Sequence, residues 1–402
     1  MGKKLVRWPR LFIPAISMLF AGVIYAWSVL KAPLESEFGW SNSALALNFT
    51  LTLCFFCIGG VVGSRITKKA TPRTGLLIAA AFVAIGFILS SRLSGNVVML
   101  YIAYAGLAGS GIGIAYNIII STTNAWFPDK KGTCSGVLMM CFGLSALILG
   151  KVSDALFIMP SVGWRKTFLL LGIVIGAVIA LCSCGIELPP SNIVFPETKI
   201  KKNVKESFET VDLTTKEMVK RNSFWKFFGF AVLTSASGSS VISFARDLAL
   251  ASGAQAALAT TLVGVMSLCN GLGRIICGLV SDVLGVRKAM LISNSIAILA
   301  PLSVLFAVSK NSLGLCITGL CLAGIAYGFL ATIISAFTVA FYGFKSFPSN
   351  YSLSNMMLLP ASFGATFASV LLTKTGGYVT PFMMLIIFTV LAMIINLSIK
   401  RS

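Results

Sequence analysis

The amino-acid sequence predicts an all-α integral membrane protein with twelve transmembrane helices. Of its 402 residues, 57% are hydrophobic and only 11% are charged, whereas about a quarter of the residues in a soluble domain are charged. Apolar segments of about 20 residues, the length needed to span a bilayer, recur along the chain. Alternation with a period of two, which is typical of outer-membrane barrels, is absent, since runs such as residues 75–89 are apolar on every side. Helices satisfy the backbone within each segment and are therefore the predicted spanning structure.

The twelve predicted spans are separated by short polar stretches. They cover residues 11–31, 43–63, 75–91, 97–122, 133–157, 166–187, 224–247, 256–280, 289–308, 313–343, 349–373 and 380–398. The longest polar stretch predicts a cytoplasmic linker over residues 189–222, between an N-terminal six-helix bundle (1–188) and a C-terminal six-helix bundle (223–402). Two bundles joined in this way are typical of carriers built from parallel repeats.

The positive charge is distributed unevenly along the chain. The net charge is +20, and with a cytoplasmic N-terminus the even-numbered connections and both tails hold 23 of the 32 Lys and Arg residues. Loops rich in Lys and Arg stay in the cytoplasm. The bias therefore predicts a multi-pass protein of the plasma or inner cell membrane with both termini in the cytoplasm, and it argues against nucleic acid as a partner.

Residues for catalysis or metal binding are scarce. The chain has no His, its ten Cys residues lack metal-ligand spacing, and neither a Walker motif nor a pair of catalytic carboxylates is present. The sequence therefore predicts no metal site, no cofactor and no enzymatic activity. ATP-driven transport by this chain is disfavoured for the same reason.

A glycine-rich basic segment follows the second span of the C-terminal half. It reads Gly278-Leu279-Val280-Ser281-Asp282-Val283-Leu284-Gly285-Val286-Arg287-Lys288 and resembles the cytoplasmic loop signature of the major facilitator superfamily. The resemblance implies that Gly278 and Gly285 allow close helix packing and that an Asp282–Arg287 contact latches the outward-open state. The corresponding first-half loop, from Gly63 to Lys69, has no acidic residue, so a purely topogenic role is the alternative there.

Three further motifs narrow the resemblance to the oxalate/formate antiporter family and its monocarboxylate-transporter relatives. They are Tyr25-Ala26-Trp27-Ser28-Val29, Trp126-Phe127-Pro128-Asp129-Lys130-Lys131-Gly132 and Asn270-Gly271-Leu272-Gly273-Arg274. The second motif is the most specific, and we expect it to serve as a hinge and packing element. The resemblance implies that a basic residue in the third motif binds the carboxylate of the substrate.

Arg274 is the principal candidate for substrate binding. A charged side chain inside a span costs several kcal/mol unless protein, water or a counter-ion compensates it, and the span at 256–280 contains no acidic residue. A guanidinium can bind a carboxylate bidentately. The alternative is that Arg274, about 9 Å from the predicted helix end, extends to the membrane interface.

Two differences from the relatives refine the predicted function: the first argues against proton symport, and the second favours a monocarboxylate over oxalate. Asn270 stands where proton-coupled carriers often have Asp, and a neutral amide cannot carry the proton. The interior of the eleventh span lacks the Lys that oxalate carriers place there. One buried positive charge compensates one carboxylate better than two.

Asn270 and three tyrosines complete the predicted substrate site. The hydroxyls of Tyr25, Tyr116 and Tyr327 could bind a carboxylate while their rings close the cavity, and ordinary packing is the alternative for each. The predicted function is secondary transport of small organic anions by a monomer in the lipid bilayer, through exchange or facilitated transport. The alternatives are export of drugs or other solutes by the same superfamily, and a non-transporting nutrient sensor.

Overall fold

The computed structural model describes residues 7–190 and 212–400, and in that part the chain is helical with no strand. The helices are α1 (Pro9–Ala21), α2 (Trp27–Leu30), α3 (Ala32–Phe38), α4 (Asn42–Lys69), α5 (Pro72–Ser90), α6 (Val97–Leu100), α7 (Ser110–Trp126), α8 (Lys131–Ile158), α9 (Gly163–Ser183), α10 (Thr215–Lys220), α11 (Asn222–Ala251), α12 (Ala256–Leu284), α13 (Val286–Ser309), α14 (Leu313–Tyr342), α15 (Phe347–Asn355), α16 (Leu358–Thr375) and α17 (Val379–Ser398). A 3₁₀ turn (Gly22–Ala26) follows α1, and a π-helical segment (Tyr101–Gly109) joins α6 to α7.

Twelve helical segments among the described residues are long and apolar enough to cross a membrane. Each overlaps one of the predicted spans, so the predicted fold class is confirmed. The first, fourth and eleventh predicted spans are not single regular α-helices, and the fourth contains the π-helical segment Tyr101–Gly109. The first is divided by the 3₁₀ turn, and the eleventh is divided between α15 and α16.

Two predicted loops are in fact helical. The basic segment from Gly63 to Lys69 is the end of α4, which stops only where Ala70 becomes extended, shortly before Pro72 opens α5. The residue before a proline is disfavoured in the helical region, so the break falls at this point. Residues Gly278 to Leu284 likewise belong to α12, and the chain turns at Gly285, whose φ of 86° suits glycine.

The chain forms two compact units, Met1–Lys199 and Ile200–Ser402. In the first unit, α5 packs on α9 and α7, α4 on α7, and α1 on α8. In the second unit, α14 packs on both α12 and α13, while α11 packs on α16 and α17. Both units bury apolar side chains between helices, and a cluster around Leu248, Met266, Val304 and Leu320 forms part of the core of the second unit.

The last residues of the predicted linker are ordered against the second unit. The backbone N–H of Leu213 donates to the carbonyl of Tyr342 at 2.9 Å, and the Asn350 amide donates to the Leu213 carbonyl at 3.0 Å. Thr214 and Glu217 form a capping box that starts α10. Most of the linker predicted at 189–222 and both chain ends lie outside the described residues, and the predicted domain boundaries stay a prediction.

Candidate functional site

Arg274 lies well inside a spanning helix of the second unit. It is 3% exposed and lies within the apolar span Thr261–Leu284. Because α12 continues to Leu284, the distance to the helix end is ten residues, or about 15 Å at 1.5 Å per residue. The shorter distance of about 9 Å expected from the sequence was an underestimate, and extension of the side chain to the helix end is correspondingly harder.

Asn270 contacts the Arg274 side chain from the preceding turn of α12. The Nε–H of Arg274 donates to Oδ1 of Asn270 with a separation of 3.3 Å. This bond fixes the orientation of the Asn270 amide and of the guanidinium stem. A guanidinium has five N–H donors in a planar fork, and the bond to Asn270 uses one of them.

Helix α14 supports Arg274 through close backbone contact. A Cβ on Gly328 would overlap the carbonyl oxygen of Asn270 and would lie 3.1 Å from the backbone nitrogen of Arg274. On the facing helix, a Cβ on Gly273 would lie 2.7 Å from the carbonyl oxygen of Ile325. Small residues allow membrane helices to approach in this way. Thr332, which is fully buried, donates its hydroxyl to the carbonyl of Arg274 at 3.1 Å.

Tyr327 occupies a separate position on α14. Its ring packs against Gly238 of α11, where a Cβ would lie 2.8 Å from the ring. It lines a cavity together with Thr234, Ser237 and Pro301. The space open to the centre of a water molecule is about 10 Å³, roughly what a single water needs. This cavity is therefore too small for a carboxylic acid.

Tyr25 and Tyr116 meet in the first unit at an aromatic cluster completed by Phe56 and Phe142. Both tyrosine rings pack on Phe142, with centroid separations of 5.3 Å and 4.9 Å, and Tyr116 also packs on Phe56 at 5.1 Å. Edge-to-face geometry of this kind stabilises aromatic packing. Sequence reasoning missed Phe56 and Phe142, because a Phe in an apolar helix carries no signal that distinguishes it from other core residues.

The four predicted latch residues lie around the turn between α12 and α13. Gly278 and Asp282 are helical, Gly285 makes the turn, and Arg287 lies in the first turn of α13. The guanidinium of Arg287 donates to the backbone carbonyl of Ile399, after the end of α17. Arg287 thus connects two helix ends of the second unit, and the Asp282–Arg287 latch stays a prediction.

At one end of the first unit, two arginines near the start of α1 contact the Trp126–Gly132 motif and the segment after α9. Arg7 binds both carboxylate oxygens of Asp129, at 2.6 and 3.1 Å. Arg10 binds Glu187 at 2.5 Å, and its guanidinium lies 4.8 Å from the Trp126 ring centre. Burial acts to raise the pKa of Asp129, but the Arg7 hydrogen bonds and charge outweigh it and the pKa is lowered. The Trp126–Gly132 motif is therefore a packing element at this end.

The opposite end of the first unit has its own cluster, centred on Glu37. Its carboxylate accepts hydrogen bonds from the Trp164 indole and from Arg165 at 2.6 Å. Arg165 also donates to the carbonyl of Leu93 at 2.7 Å. The Trp164 hydrogen bond, followed by the Arg165 contacts, lowers the pKa of Glu37. The Glu37 carboxylate thus joins the end of α3 to the start of α9, and Arg165 links both to the connection between α5 and α6.

Comparison with protein families identifies one matching model. The model of the Major Facilitator Superfamily matches residues 12–248. Among characterised relatives, the oxalate:formate antiporter of Oxalobacter formigenes is 29% identical over 355 residues, covering 86% of this chain and 77% of the antiporter. Monocarboxylate transporter 12 of Mus musculus is 24% identical over 176 residues, covering 44% of this chain and 35% of that transporter.

Solved structures share the fold at low sequence identity. The proton:xylose symporter XylE, bound to 6-bromo-6-deoxy-D-glucose, aligns with a TM-score of 0.75 at 14% identity, covering 98% of this chain and 96% of that one. FucP in its outward conformation aligns with a TM-score of 0.69 at 14% identity, covering 98% and 99%. At this identity the likeness concerns the fold and carries no information on substrate.

Proposed function

The chain belongs to the major facilitator superfamily, whose model matches more than half of its residues, and from this membership we propose that it transports small organic anions, with monocarboxylates as the preferred class. It works as a secondary carrier by alternating access, through exchange or facilitated transport. The family resemblance found in the sequence motifs is thereby confirmed, and the substrate class is the step that the proposal adds.

The observation that carries the proposal is the burial of Arg274 inside a spanning helix. A permanently charged guanidinium at 3% exposure is costly in a membrane and marks a functional site by default. Asn270, Thr332 and the close contact of α14 at Gly328 hold it in place by hydrogen bonding and close packing. Such a preorganised planar fork suits the two oxygens of a carboxylate.

The relatives support the same substrate class. One carries oxalate and formate and another belongs to the monocarboxylate transporters, as their names state. Arg274 is the one buried cation among residues 7–190 and 212–400, and a single buried positive charge favours a substrate with a single negative charge. The span Phe347–Thr375 has its only cation, Lys374, in its last turn. Oxalate carriers, by contrast, place a lysine in the interior of this span.

Orientation follows from the distribution of charge. We place both termini and the linker in the cytoplasm, since 23 of 32 Lys and Arg residues lie on that side. The chain ends of the first unit and the Arg7–Asp129 cluster are then cytoplasmic, and the Glu37 cluster is extracellular.

Counterflow in proteoliposomes tests the substrate class. Vesicles containing the purified protein are loaded with unlabelled formate, lactate, pyruvate, glycolate, oxalate or xylose, and uptake of the labelled compound is measured. We expect exchange of at least one monocarboxylate that exceeds oxalate exchange, and no exchange of xylose. Robust oxalate counterflow with no competition from lactate or formate would contradict the proposed preference.

A further inference from the structure

A groove lies between the ends of α4 and α5, at the edge of the first unit. Its volume is about 480 Å³. One part of the groove is lined by three cations from the last turns of α4, Arg65, Lys68 and Lys69. Another part is lined by the apolar side chains of Val62, Ile66 and Ile78. The three cations are solvent-exposed, and Val62 is 38% exposed.

The groove is strongly positive. No acidic residue occurs among its lining residues, and the sequence contains no Asp or Glu between Glu37 and Asp129. The acidic residues Asp129 and Glu187 of the first unit are bound by Arg7 and Arg10. The C-terminal end of α4 and the N-terminal end of α5 both lie here, so their helix dipoles oppose each other and the positive charge comes from the side chains.

The apolar wall decides which anion fits. A free phosphate ion would gain from the cations but would leave Val62, Ile66 and Ile78 in contact with water. A phospholipid satisfies both parts, because its phosphate meets the cations while an acyl chain covers the apolar side chains. The two helices are spanning helices, so the groove lies at the level where lipid headgroups meet the acyl region.

We propose that this groove, defined by Arg65, Lys68, Lys69, Val62, Ile66 and Ile78, is a binding site for one anionic phospholipid. The site is separate from Arg274, which lies in the other unit, and does not depend on the identity of the transported substrate. Each basic residue near an anionic headgroup contributes about a fivefold gain in affinity, so three together contribute about a hundredfold.

Native mass spectrometry of the full chain in a neutral detergent tests the site. The protein is titrated with phosphatidylglycerol or phosphatidylcholine. We expect the first phosphatidylglycerol to bind at least about tenfold more tightly than phosphatidylcholine. Substitution of the three cations together, Arg65→Gln, Lys68→Gln and Lys69→Gln, should remove that preference. The matched control, Lys216→Gln, Lys220→Gln and Lys345→Gln, removes the same charge from the second unit and should keep it.

Two further measurements distinguish a specific lipid-binding site from nonspecific electrostatic attraction. The paired substitution Ile66→Ala and Ile78→Ala keeps the charge and should weaken phosphatidylglycerol binding several-fold. Inorganic phosphate at 100-fold excess over the lipid should not displace it. The proposal would be overturned by any one of four results. These are equal binding of the two lipids, retention of the preference by the triple variant, unchanged phosphatidylglycerol binding by the Ile66→Ala and Ile78→Ala variant, and displacement of the lipid by phosphate.

Discussion

The carbonyl oxygen of Asn270 lies so close to Gly328 that no side chain fits between α12 and α14 at this point. We expect Gly328→Ala to push the two helices apart and to lower the free energy of unfolding by about 1–3 kcal/mol, the usual cost of overpacking. Thermal unfolding of the purified protein measures the change. Gly314→Ala, on the same helix with nothing within 4 Å, is the matched control, and an equal effect of both variants would contradict the packing argument.

The burial of Arg274 could be predicted from the sequence, whereas the contacts that support its side chain could not. A charged residue in an apolar segment is conspicuous, so its burial could be anticipated. The supporting contacts could not be anticipated, because Gly273, Gly328 and Thr332 are ordinary residues of apolar helices whose importance comes from which helix they face. The same holds for the π-helical segment Tyr101–Gly109, which no residue type in the sequence signals.

At the scale of the helices, the Arg7–Asp129 cluster and the Glu37 cluster at the two ends of the first unit each join segments that are distant in sequence. The Arg7–Asp129 cluster joins the start of α1 to the loop after α7, with a sequence separation of 122 residues. The Glu37 cluster joins the end of α3 to the start of α9, with a separation of 128 residues for its Arg165 bond. Helix packing is thus supplemented at both ends by charged hydrogen bonds outside the membrane.

The Glu37 cluster predicts a dependence of stability on acid. The folded-state pKa of Glu37 is lowered, first by the Trp164 hydrogen bond, so its contribution is complete above the ordinary pKa of about 4.3 and is lost as the pH falls through the folded value. The Glu37–Arg165 ion pair is largely exposed, since 41% of the Glu37 side chain and 45% of the Arg165 side chain are accessible. Its contribution to the free energy of unfolding is therefore about 0.5–1 kcal/mol.

Unfolding measured from pH 7 down to pH 3.5 checks this effect. We expect Glu37→Gln to be less stable than the wild type at pH 7 and to approach it below about pH 4. Asp154→Asn, which removes an exposed carboxylate from α8, serves as the control. A constant difference between wild type and Glu37→Gln across the whole range would show that the carboxylate charge is not responsible.

The turn between α12 and α13 carries the latch prediction. Sequence resemblance pairs Asp282 with Arg287, and Arg287 also donates to the end of α17 at Ile399. We expect Asp282→Asn to slow substrate exchange several-fold while the unfolding temperature changes little, since Asp282 is only partly buried. Exchange and unfolding are measured on the same preparation, and unchanged exchange kinetics would count against the latch.

At the scale of the whole molecule, hydropathy determined most of what could be predicted. Twelve apolar segments of the right length gave the fold class, because a helix is the spanning structure available to such segments. Helix ends were less well predicted. Helix α4 extends beyond its apolar run to Lys68 and Lys69, which helices tolerate at their C-terminal turns. Helix α12 extends beyond its predicted span through Asp282 to Leu284, so charge alone did not mark where either helix stopped.

The orientation of the whole molecule is tested by thiol labelling in intact cells. A Cys is introduced at Ser402 in a protein whose exposed Cys184 has been replaced by Ser, and an impermeant reagent is applied from outside. We expect no labelling of Ser402→Cys, and labelling of Ser94→Cys in the connection between the third and fourth spans. Labelling at Ser402 from outside would contradict the cytoplasmic assignment of the C-terminus.

The central claim is that Arg274 binds the substrate carboxylate. Counterflow of the best monocarboxylate, normalised to folded protein in the membrane, tests this claim directly in four proteins: wild type, Arg274→Lys, Arg274→Gln and the control Arg246→Gln, which removes an exposed charge from α11. Arg274→Lys keeps the charge but loses the planar fork, so its exchange should weaken about tenfold or more. Arg274→Gln should lose exchange, whereas Arg246→Gln should retain most of it. Near-normal exchange by Arg274→Gln would contradict the claim and remove Arg274 from the substrate site.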